Sequence, residues 1–340
     1  MPDRAAALAA FLSRSGWGDA RRNPLAGDAS NRRYERLAHP ALGPAILMDA
    51  PPEKGEDVRP FVAIARHLAG LGLAAPALIA EDPDHGFLIL QDLGDDLYAR
   101  VVDRDPDLAD TLYGAAIDVL VELAPAPLPA CPDYGPPQMA QAAALAHDWY
   151  RLAATGTRDA DRRAAFHDTV RQALDSHVAE MSALVLRDYH AENLIWLPDR
   201  AGTARVGLLD FQDAARGHPV YDLVSLLKDA RRDLAPGLEA RMIDRFLDRS
   251  GMAPDAFHAA YATLGAQRNL RILGGFARLS LHYGKPAYVD LIPRVWRHLQ
   301  DSLAHPALAT LAKVVNDDLP PPDPTLLQTL KDQCGTVPTP

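Results

Sequence analysis

LRDYHAENLIW, residues Leu186–Trp196, crowds four polar groups between two apolar runs. They are the carboxylates of Asp188 and Glu192, the imidazole of His190 and the amide of Asn193. The run ALVL precedes them and NLIWL follows, so we expect short buried strands on both sides. Side chains at the ends of such strands lie in loops, where they can reach a ligand. The stretch therefore predicts a functional loop.

A third apolar run, VGLLD, ends at Asp210, and the turn-forming residues PDRAGT separate it from the second run. Asp188, Asn193 and Asp210 thus all stand at ends of predicted strands. Each one alone is typical of a strand or turn cap. Together they offer two carboxylates and an amide oxygen, which suit Mg²⁺. Because a carboxylate beside a metal can also accept a proton from an alcohol, the pattern favours a small-molecule kinase.

The composition is that of a soluble protein with one large domain or two joined lobes: 340 residues, 48% hydrophobic and 24% charged. The net charge of −10 disfavours a nucleic-acid-binding face, which needs clustered Lys and Arg. No apolar run approaches the roughly 18 residues of a membrane span. The N-terminal apolar stretch favours a short helix over a secretion signal. Cys131 and Cys334 show no disulfide or metal-ligand spacing, so we expect a reducing, cytoplasmic location.

The character of the chain changes after residue 93. Residues 28–93 contain the strand-like runs RRYERL, AILMDA and GFLILQDLG, with helical spacing from Val58 to Leu68 between the last two. Later residues are mostly helical, but residues 124–138 are too proline-rich for regular structure. The proline-rich tail from Leu319 is expected either to pack along the surface or to be loose. We predict an α+β fold with a strand-rich lobe, residues 1–93, and a larger helical lobe, residues 94–340.

Asp188-x-His190-x-x-Asn193, followed by Asp210 after a hydrophobic strand, resembles the catalytic and metal-binding segments of the aminoglycoside-phosphotransferase branch of the protein-kinase-like fold. The resemblance implies a two-lobed structure. It also implies that Asp188 orients or deprotonates the substrate hydroxyl, and that Asn193 and Asp210 hold Mg²⁺ on the phosphates of ATP. Asp222, in GHPVYDLVSLL, matches the structural Asp that supports the catalytic loop in this branch.

Further motifs narrow the resemblance to the bacterial anomeric kinases of N-acetylmuramate and N-acetylglucosamine: GDASNRRYERL, LMDAPPE, LILQDLGD, LLDFQDA and QRNLRILGGFARL. Such kinases phosphorylate the C1 hydroxyl of these sugars during recycling of cell-wall peptidoglycan. The implied partner is a small amino sugar and the implied cofactors are ATP and Mg²⁺, with neither nucleic acid nor membrane involved. His190, Glu192 and Asp213 flank the catalytic groups and are predicted to bind sugar hydroxyls.

The nucleotide site departs from the usual kinase pattern. Most kinases carry a Lys on the third strand, paired with a Glu of the following helix. Here Met48 occupies the Lys position and the helix has no mid-helix Glu. Losing the Lys alone would leave a buried carboxylate unpaired, so the joint loss indicates another phosphate clamp or an inactive enzyme. Arg32, Arg33 and Lys54 are the candidate cations, although each is equally typical of a solvated surface charge.

Two segments supply the predicted ATP-binding residues, which Met48 completes. GDASNRR, a weak match to a phosphate-binding loop because it has one Gly, supplies Ser30, Asn31 and Arg32. LILQDLGD resembles the hinge at which kinases bind adenine through backbone groups, and it supplies Gln91, Asp92 and Leu93.

The helix predicted in QRNLRILGGFARLSLHYG is apolar nearly all round and is therefore expected to be buried. Arg268, Arg271 and Arg278 fall on one side of it, at about 100° per residue. A cationic stripe on a buried helix must meet anions, which are protein acids such as Asp213 or Asp222, phosphate, or substrate. Since N-acetylmuramate carries a lactyl carboxylate that Arg can grip, Arg268 and Arg271 are predicted to bind substrate.

Three other functions fit parts of the pattern. The nearest is a kinase of the same fold that acts on another alcohol, such as an aminoglycoside or choline. The negative net charge of the protein suits a cationic substrate. The stripe formed by Arg268, Arg271 and Arg278 favours an anionic one. A second alternative is a catalytically inactive nucleotide-binding module, because Met48 stands where active kinases usually have a Lys. Asp188-x-His190 also resembles the ligand pair of a metal-dependent phosphoesterase, but such sites need further His ligands, and of these His218 alone follows closely.

Overall fold

A five-stranded antiparallel sheet lies in the N-terminal part of the protein, which a computed structural model describes for residues 4–25 and 31–338. Its strands are β1 (Arg21–Pro24), β2 (Arg33–His39), β3 (Gly43–Asp49), β4 (Leu78–Asp82) and β5 (Phe87–Gln91), in the order β1-β2-β3-β5-β4. The three predicted runs are confirmed as β2, β3 and β5. The exposed β1 has no apolar run that would have predicted it, and β4, whose sequence LIAED is partly buried, was not predicted either.

One face of the sheet packs against α1 (Arg4–Arg14), the helix predicted for the N-terminal apolar stretch. Leu37, Leu47 and Ile89 of the sheet are fully buried in this core. The ring of Phe11 stacks on that of Phe87 with the centroids 5.7 Å apart. Burial of these side chains removes apolar surface from water and fixes the sheet on the helix.

The helix predicted between the second and third runs is α2 (Arg59–Gly70). Its apolar face is buried, with Phe61, Ile64 and Leu68 at most 5% exposed. The ring of Phe61 also stacks on that of Phe211, with the centroids 4.8 Å apart. The contact fixes α2 against the segment that directly follows Asp210.

The chain divides into two compact units, one formed by Met1–Val119 and Ala191–Ala214, the other by Leu120–His190 and Ala215–Pro340. The first unit also holds α3 (Tyr98–Arg104), the start of α4 (Ala109–Leu123), and an antiparallel hairpin of β7 (Leu194–Trp196) and β8 (Val206–Leu208). The hairpin confirms the predicted runs around the turn PDRAGT. It also places Asn193 and Asp210 in the first unit. The predicted lobe boundary after residue 93 stays a prediction.

Helices make up most of the second unit. They are α5 (Pro136–Ala143), α6 (Leu152–Thr155), α7 (Ala160–His177), α8 (Tyr221–Leu227), α9 (Leu238–Ser250), α10 (Pro254–Leu281), α11 (Ile292–Leu303), α12 (Ala309–Asp318) and α13 (Pro324–Asp332). An antiparallel pair, β6 (Ala183–Val185) and β9 (Ala215–Gly217), precedes α8. Helix α10 packs against α5, α7, α8, α11 and α13, which confirms the helix predicted to be buried. Within the described ranges no helix has the length and apolarity to cross a membrane.

Of the two alternatives for the proline-rich tail, packing along the surface is confirmed, and a loose tail is wrong. Helix α13 buries Leu326 and Leu330, and the carbonyl of Leu330 accepts a hydrogen bond of 2.7 Å from Ser280 Oγ. Asp323 caps the helix by accepting from the N–H of Leu326 at 2.8 Å. Pro324 takes the first helical position, where its missing N–H is tolerated. For the same reason residues 136–138, expected to be irregular, begin α5.

Candidate active site

Asp222 of α8 holds the loop that follows β6. Its carboxylate accepts hydrogen bonds from the backbone N–H groups of Leu186, at 2.5 Å, and Arg187, at 2.9 Å. Burial raises the pKa of Asp222 to about 7, although these N–H groups favour the charged form. Arg187 has a left-handed φ of +70, and its carbonyl accepts from Arg268 Nη1 at 3.3 Å. The backbone before Asp188 is therefore fixed from two sides, and the supporting role predicted for Asp222 is confirmed.

Asp188 follows this fixed backbone with its side chain 35% exposed, and its Oδ1 lies 4.0 Å from Arg271 Nη2. Burial acts to raise the pKa of Asp188, but the positive charges of Arg271 and Arg268 outweigh it and hold the pKa below its ordinary value. Asp188 is therefore an ionised carboxylate at neutral pH. Such a group can orient an alcohol by accepting its hydrogen bond, or take up its proton.

The predicted arginine stripe lies on α10, and its members differ in their surroundings. Arg268 is 4% exposed and donates to the carbonyl of Arg187, so it belongs to the support of the loop. Arg271 is partly exposed and lies beside Asp188. Arg278 stacks against two aromatic rings. Of the three, Arg271 has the surroundings expected of a residue that meets a substrate anion.

His190 is 6% exposed in the second unit. Burial lowers its pKa to about 4, against the charge of Asp229, which acts to raise it. The imidazole is therefore neutral at pH 7, with one nitrogen a donor and the other an acceptor. Such a ring can hydrogen-bond a hydroxyl but adds no charge, and the sugar-binding role of His190 stays a prediction.

Asn193 and Asp210 come together at the open end of the β7–β8 hairpin. Asn193 directly precedes β7, Asp210 follows β8 by one residue, and Asn193 Nδ2 lies 3.4 Å from Asp210 Oδ2. Gln212 Nε2 donates to Asp210 Oδ1 at 2.8 Å. Asp210 has a φ of +57, a left-handed conformation that is uncommon outside Gly and recurs at functional sites.

This pair offers an amide oxygen and a carboxylate, which are hard oxygen donors of the kind that bind Mg²⁺. Among residues 4–25 and 31–338, no group of three or more His, Cys, Asp or Glu side chains is arranged to hold a metal. Two protein ligands suit Mg²⁺ in phosphotransferases, because phosphate and water oxygens supply the others. The donor set at Asn193 and Asp210 therefore fits a magnesium ion that arrives with a nucleotide.

A cavity of about 330 Å³ lies in the first unit beside this pair. Seven of the predicted site residues line it: Met48, Gln91, Asp92, Leu93, Glu192, Asn193 and Asp210. Apolar side chains such as Ile46, Phe61 and Leu90 contribute to its walls. A concave, partly apolar site with a few polar groups at its margin is suited to an aromatic base that carries a charged substituent.

The predicted hinge lies at the end of β5 and is tied to β2 by an arginine that the sequence analysis missed. Arg36 Nε lies 2.7 Å from Asp92 Oδ2, and its two Nη atoms bond the carboxylate of Asp95 at 2.8 Å. The hydrogen bond from Arg36 lowers the pKa of Asp95. Arg36 and Tyr34 both line the cavity. The sequence did contain an indication that Tyr34 and Arg36 share one surface. They are two residues apart in RRYERL, and residues two apart lie on the same face of a strand.

The remaining predicted residues are placed as follows. Ser30 lies outside the described residues. Asn31 N donates to Glu56 Oε1 at 3.1 Å, and Arg32 Nε donates to Glu56 Oε2 at 2.8 Å. Glu192 and Asp213 are exposed, and Glu192 lines the cavity. Contacts of these residues with a nucleotide or a sugar stay predictions.

A small antiparallel sheet with a partly apolar cavity, an amide–carboxylate pair beside it and a braced, ionised aspartate are each, taken alone, of a kind found in phosphotransferases of the kinase-like class. The sequence matches the model of the phosphotransferase enzyme family over residues 21–264. It is 43% identical to the N-acetylmuramate/N-acetylglucosamine kinase of Caulobacter vibrioides, over 91% of this chain and 95% of that protein. It is 34% identical to the protein of the same name from Pseudomonas putida, over 88% of this chain and 89% of that protein.

Solved structures show the same fold. Choline kinase LicA from Streptococcus pneumoniae has a TM-score of 0.58 at 13% identity, covering 87% of this chain and 99% of that one. The ADP-bound aminoglycoside phosphotransferase APH(2'')-Ib has a TM-score of 0.57 at 15% identity, covering 88% and 97%. The predicted α+β, kinase-like fold is thereby confirmed. The chain belongs to the phosphotransferase enzyme family and, within it, to the family of N-acetylmuramate/N-acetylglucosamine kinases.

Proposed function

We propose that this chain transfers the γ-phosphoryl group of ATP to the C1 hydroxyl of N-acetylmuramate and N-acetylglucosamine. The observation that carries the proposal is the braced, ionised Asp188 beside Arg271. The substrate names come from the relatives, which match nearly the whole chain. The products are sugar 1-phosphates, and we assign them to the recycling of cell-wall peptidoglycan.

Asp188 acts on the acceptor sugar. Its carboxylate accepts the hydrogen bond of the C1 hydroxyl and turns the oxygen toward the phosphorus atom. Transition states of phosphoryl transfer are loose, so this orientation matters more than a strong base. The fixed backbone of Leu186 and Arg187 supports it, since a small displacement of an orienting group lowers the rate steeply.

Asn193 and Asp210 hold Mg²⁺ on the phosphates. The ion would supply positive charge that offsets the negative charge developing on the phosphates during transfer. The left-handed backbone and the hydrogen bond from Gln212 fix the direction of the Asp210 carboxylate. We assign the adenine to the cavity walls near Gln91, Asp92 and Leu93, where backbone groups of the hinge bind it.

Arg271 favours an anionic sugar over a cationic alcohol. An arginine near the reacting hydroxyl attracts the lactyl carboxylate of N-acetylmuramate and repels the ammonium groups of an aminoglycoside or of choline. N-acetylglucosamine has no group for this contact and gains nothing from it. The charge beside Asp188 therefore supports the amino-sugar kinase over the nearest alternative. Because ATP and the recycled sugars are cytoplasmic solutes, we place the enzyme in the cytoplasm.

The test is ³¹P NMR of the product formed from ATP, Mg²⁺ and N-acetylmuramate. The expected product shows a phosphorus nucleus coupled to the sugar H1, which fixes both the position and the anomer. The same assay with an aminoglycoside and with choline tests the other alcohols. No turnover with any of them, despite binding of MgATP, would indicate an inactive nucleotide-binding module.

A further inference from the structure

We propose that Arg32, held by Glu56, is the cation that binds the phosphates of ATP in this protein. The pair takes over the task that a strand Lys and a helix Glu perform in most kinases. The inference rests on the proposed use of ATP, and it goes further by assigning a phosphate clamp and the acid that positions it.

The strand position that holds a Lys in most kinases is apolar here. Met48 is 1% exposed and lines the cavity. Its partner across the antiparallel pair is Tyr34, which lines the same cavity. Side chains of directly paired residues lie side by side on one face of a sheet. If a residue of the sheet supplies a cation to this cavity, it must therefore come from farther along the strands.

The residue that directly precedes β2 provides such a cation. Tyr34 and Arg36 share one face of β2, and Arg36 is tied to the hinge through Asp92 and Asp95. Arg32 lies two residues from Tyr34 in the other direction, about 7 Å along the chain. A hydrogen bond joins the side chains of Arg32 and Tyr34, which places Arg32 next to a residue that lines the cavity. Arg36 thus marks the hinge end of this face, and Arg32 marks the opposite end.

That opposite end is where we place the phosphates. Tyr34 and Asp210 line the same cavity, and the charge of Asp210 acts on the Tyr34 hydroxyl. Asp210 is the carboxylate assigned to Mg²⁺. An arginine joined to Tyr34 therefore stands at the end of the cavity that receives metal and phosphate. The planar guanidinium matches phosphate oxygens in a bidentate way.

Glu56 fixes the position of this arginine. Arg32 Nε donates to Glu56 Oε2 at 2.8 Å, and the two side chains are 14% and 13% exposed. The other oxygen of the same carboxylate accepts the backbone N–H of Asn31 at 3.1 Å. One acid thus orders both the side chain and the backbone of the segment. A cation held in advance binds phosphate with a smaller loss of conformational entropy.

The experiment compares the binding of MgATP and of adenosine by calorimetry in four variants: Arg32→Met, Arg32→Lys, Glu56→Gln and Arg33→Met. Arg33 is the matched control, because it is the neighbouring arginine, is exposed and faces the other side of β2. For Arg32→Met we expect the affinity for MgATP to fall roughly 10- to 100-fold, the scale of hydrogen bonds to charged groups. The affinity for adenosine should change less than about twofold, since it has no phosphate.

The other variants distinguish the positive charge at residue 32 from the positioning of that residue by Glu56. Arg32→Lys should recover part of the lost MgATP affinity. Glu56→Gln should weaken MgATP binding less than Arg32→Met. A fifth protein that combines Arg32→Met with Glu56→Gln should lose less than the two single losses combined, because the residues act as a unit. Equal losses for MgATP and adenosine would reduce Arg32 to a structural role. Unchanged MgATP affinity in Arg32→Met, or a loss in Arg33→Met as large as in Arg32→Met, would overturn the assignment. Since no sugar is present, failure of the amino-sugar reaction would not affect this result.

Discussion

Arg271 Nη2 lies 4.0 Å from Asp188 Oδ1, and both side chains are partly exposed, at 22% and 35%. This distance exceeds that of a hydrogen bond, so the contact acts through charge. The arginine keeps Asp188 ionised, and the exposure lets a hydroxyl reach it. The same arginine can attract an anionic substrate. Under the proposed function, this one contact would connect the orientation of the acceptor sugar with the choice of the acceptor.

Replacing Asp188 by Asn keeps the shape of the side chain and removes its charge. We expect kcat to fall roughly 100-fold or more, because the acceptor for the hydroxyl proton is lost, while MgATP affinity stays nearly unchanged. Steady-state kinetics and calorimetry measure the two effects. Asp199→Asn, at an exposed position in the β7–β8 turn, is the control. A near-normal kcat in Asp188→Asn would falsify the catalytic assignment.

Replacing Asp210 by Ala removes one of the two assigned Mg²⁺ ligands. We expect both turnover and Mg²⁺-dependent binding of ATP to be lost, because a metal ligand acts on each. Binding of adenosine should persist, since the cavity walls remain. Calorimetry with and without Mg²⁺ measures this directly. If MgATP affinity is unaltered, Asp210 is only a cap at the end of β8.

Much of the fold follows from local sequence patterns. The apolar runs of β2, β3 and β5 and the spacing of α2 identify these elements, because each buries one face or side. An exposed strand such as β1 buries too little to leave such a pattern. The error in the tail has a different origin. Prolines marked it as irregular, but Pro324 with the Asp323 cap begins a helix, and burial of Leu326 and Leu330 stabilises it.

The candidate site also contains residues that local sequence patterns indicate and residues that they do not. Asp188, Asn193 and Asp210 could be named as candidates because each stands near one end of a short apolar run. The ion pairs Arg36–Asp92 and Arg32–Glu56 join residues 56 and 24 positions apart, and no periodic pattern connects them. Such pairs depend on strand register and on the path of loops, which tertiary packing determines. The different roles within the α10 stripe also depend on which loop each arginine meets.

His218 should make stability depend on pH. It is 3% exposed, its Nδ1 accepts the N–H of Val220 at 3.2 Å, and burial lowers its pKa to about 4. In the unfolded chain its pKa is about 6.5. The unfolded state therefore binds the proton first as pH falls. The contribution of His218 to the free energy of unfolding is therefore fully present above about pH 6.5. As the pH falls from about 6.5 to about 4, this contribution decreases by roughly 1.4 kcal/mol per pH unit.

The substitution His218→Asn keeps an acceptor for the N–H of Val220 and removes the titrating ring. We expect the slope of unfolding free energy against pH, between about pH 6 and pH 5, to decrease by roughly 1 kcal/mol per pH unit. Urea unfolding at several pH values measures the slope. The same change at the exposed His258 is the control. An equal slope in the His218 variant and the native protein would contradict the prediction.

Substitutions of two arginines of α10 should have different effects, because one arginine supports the loop before Asp188 and the other is proposed to bind the sugar. Arg268 is buried against the carbonyl of Arg187, so Arg268→Met should lower the melting temperature and kcat for both sugars. Arg271→Met should instead raise KM for N-acetylmuramate by roughly 10- to 100-fold, the scale of hydrogen bonds to charged groups. KM for N-acetylglucosamine should change much less, because that sugar has no lactyl carboxylate. Kinetics with both sugars and melting curves distinguish the outcomes. Equal losses for both sugars in a folded Arg271→Met would show that Arg271 acts on Asp188 alone and not on the substrate carboxylate.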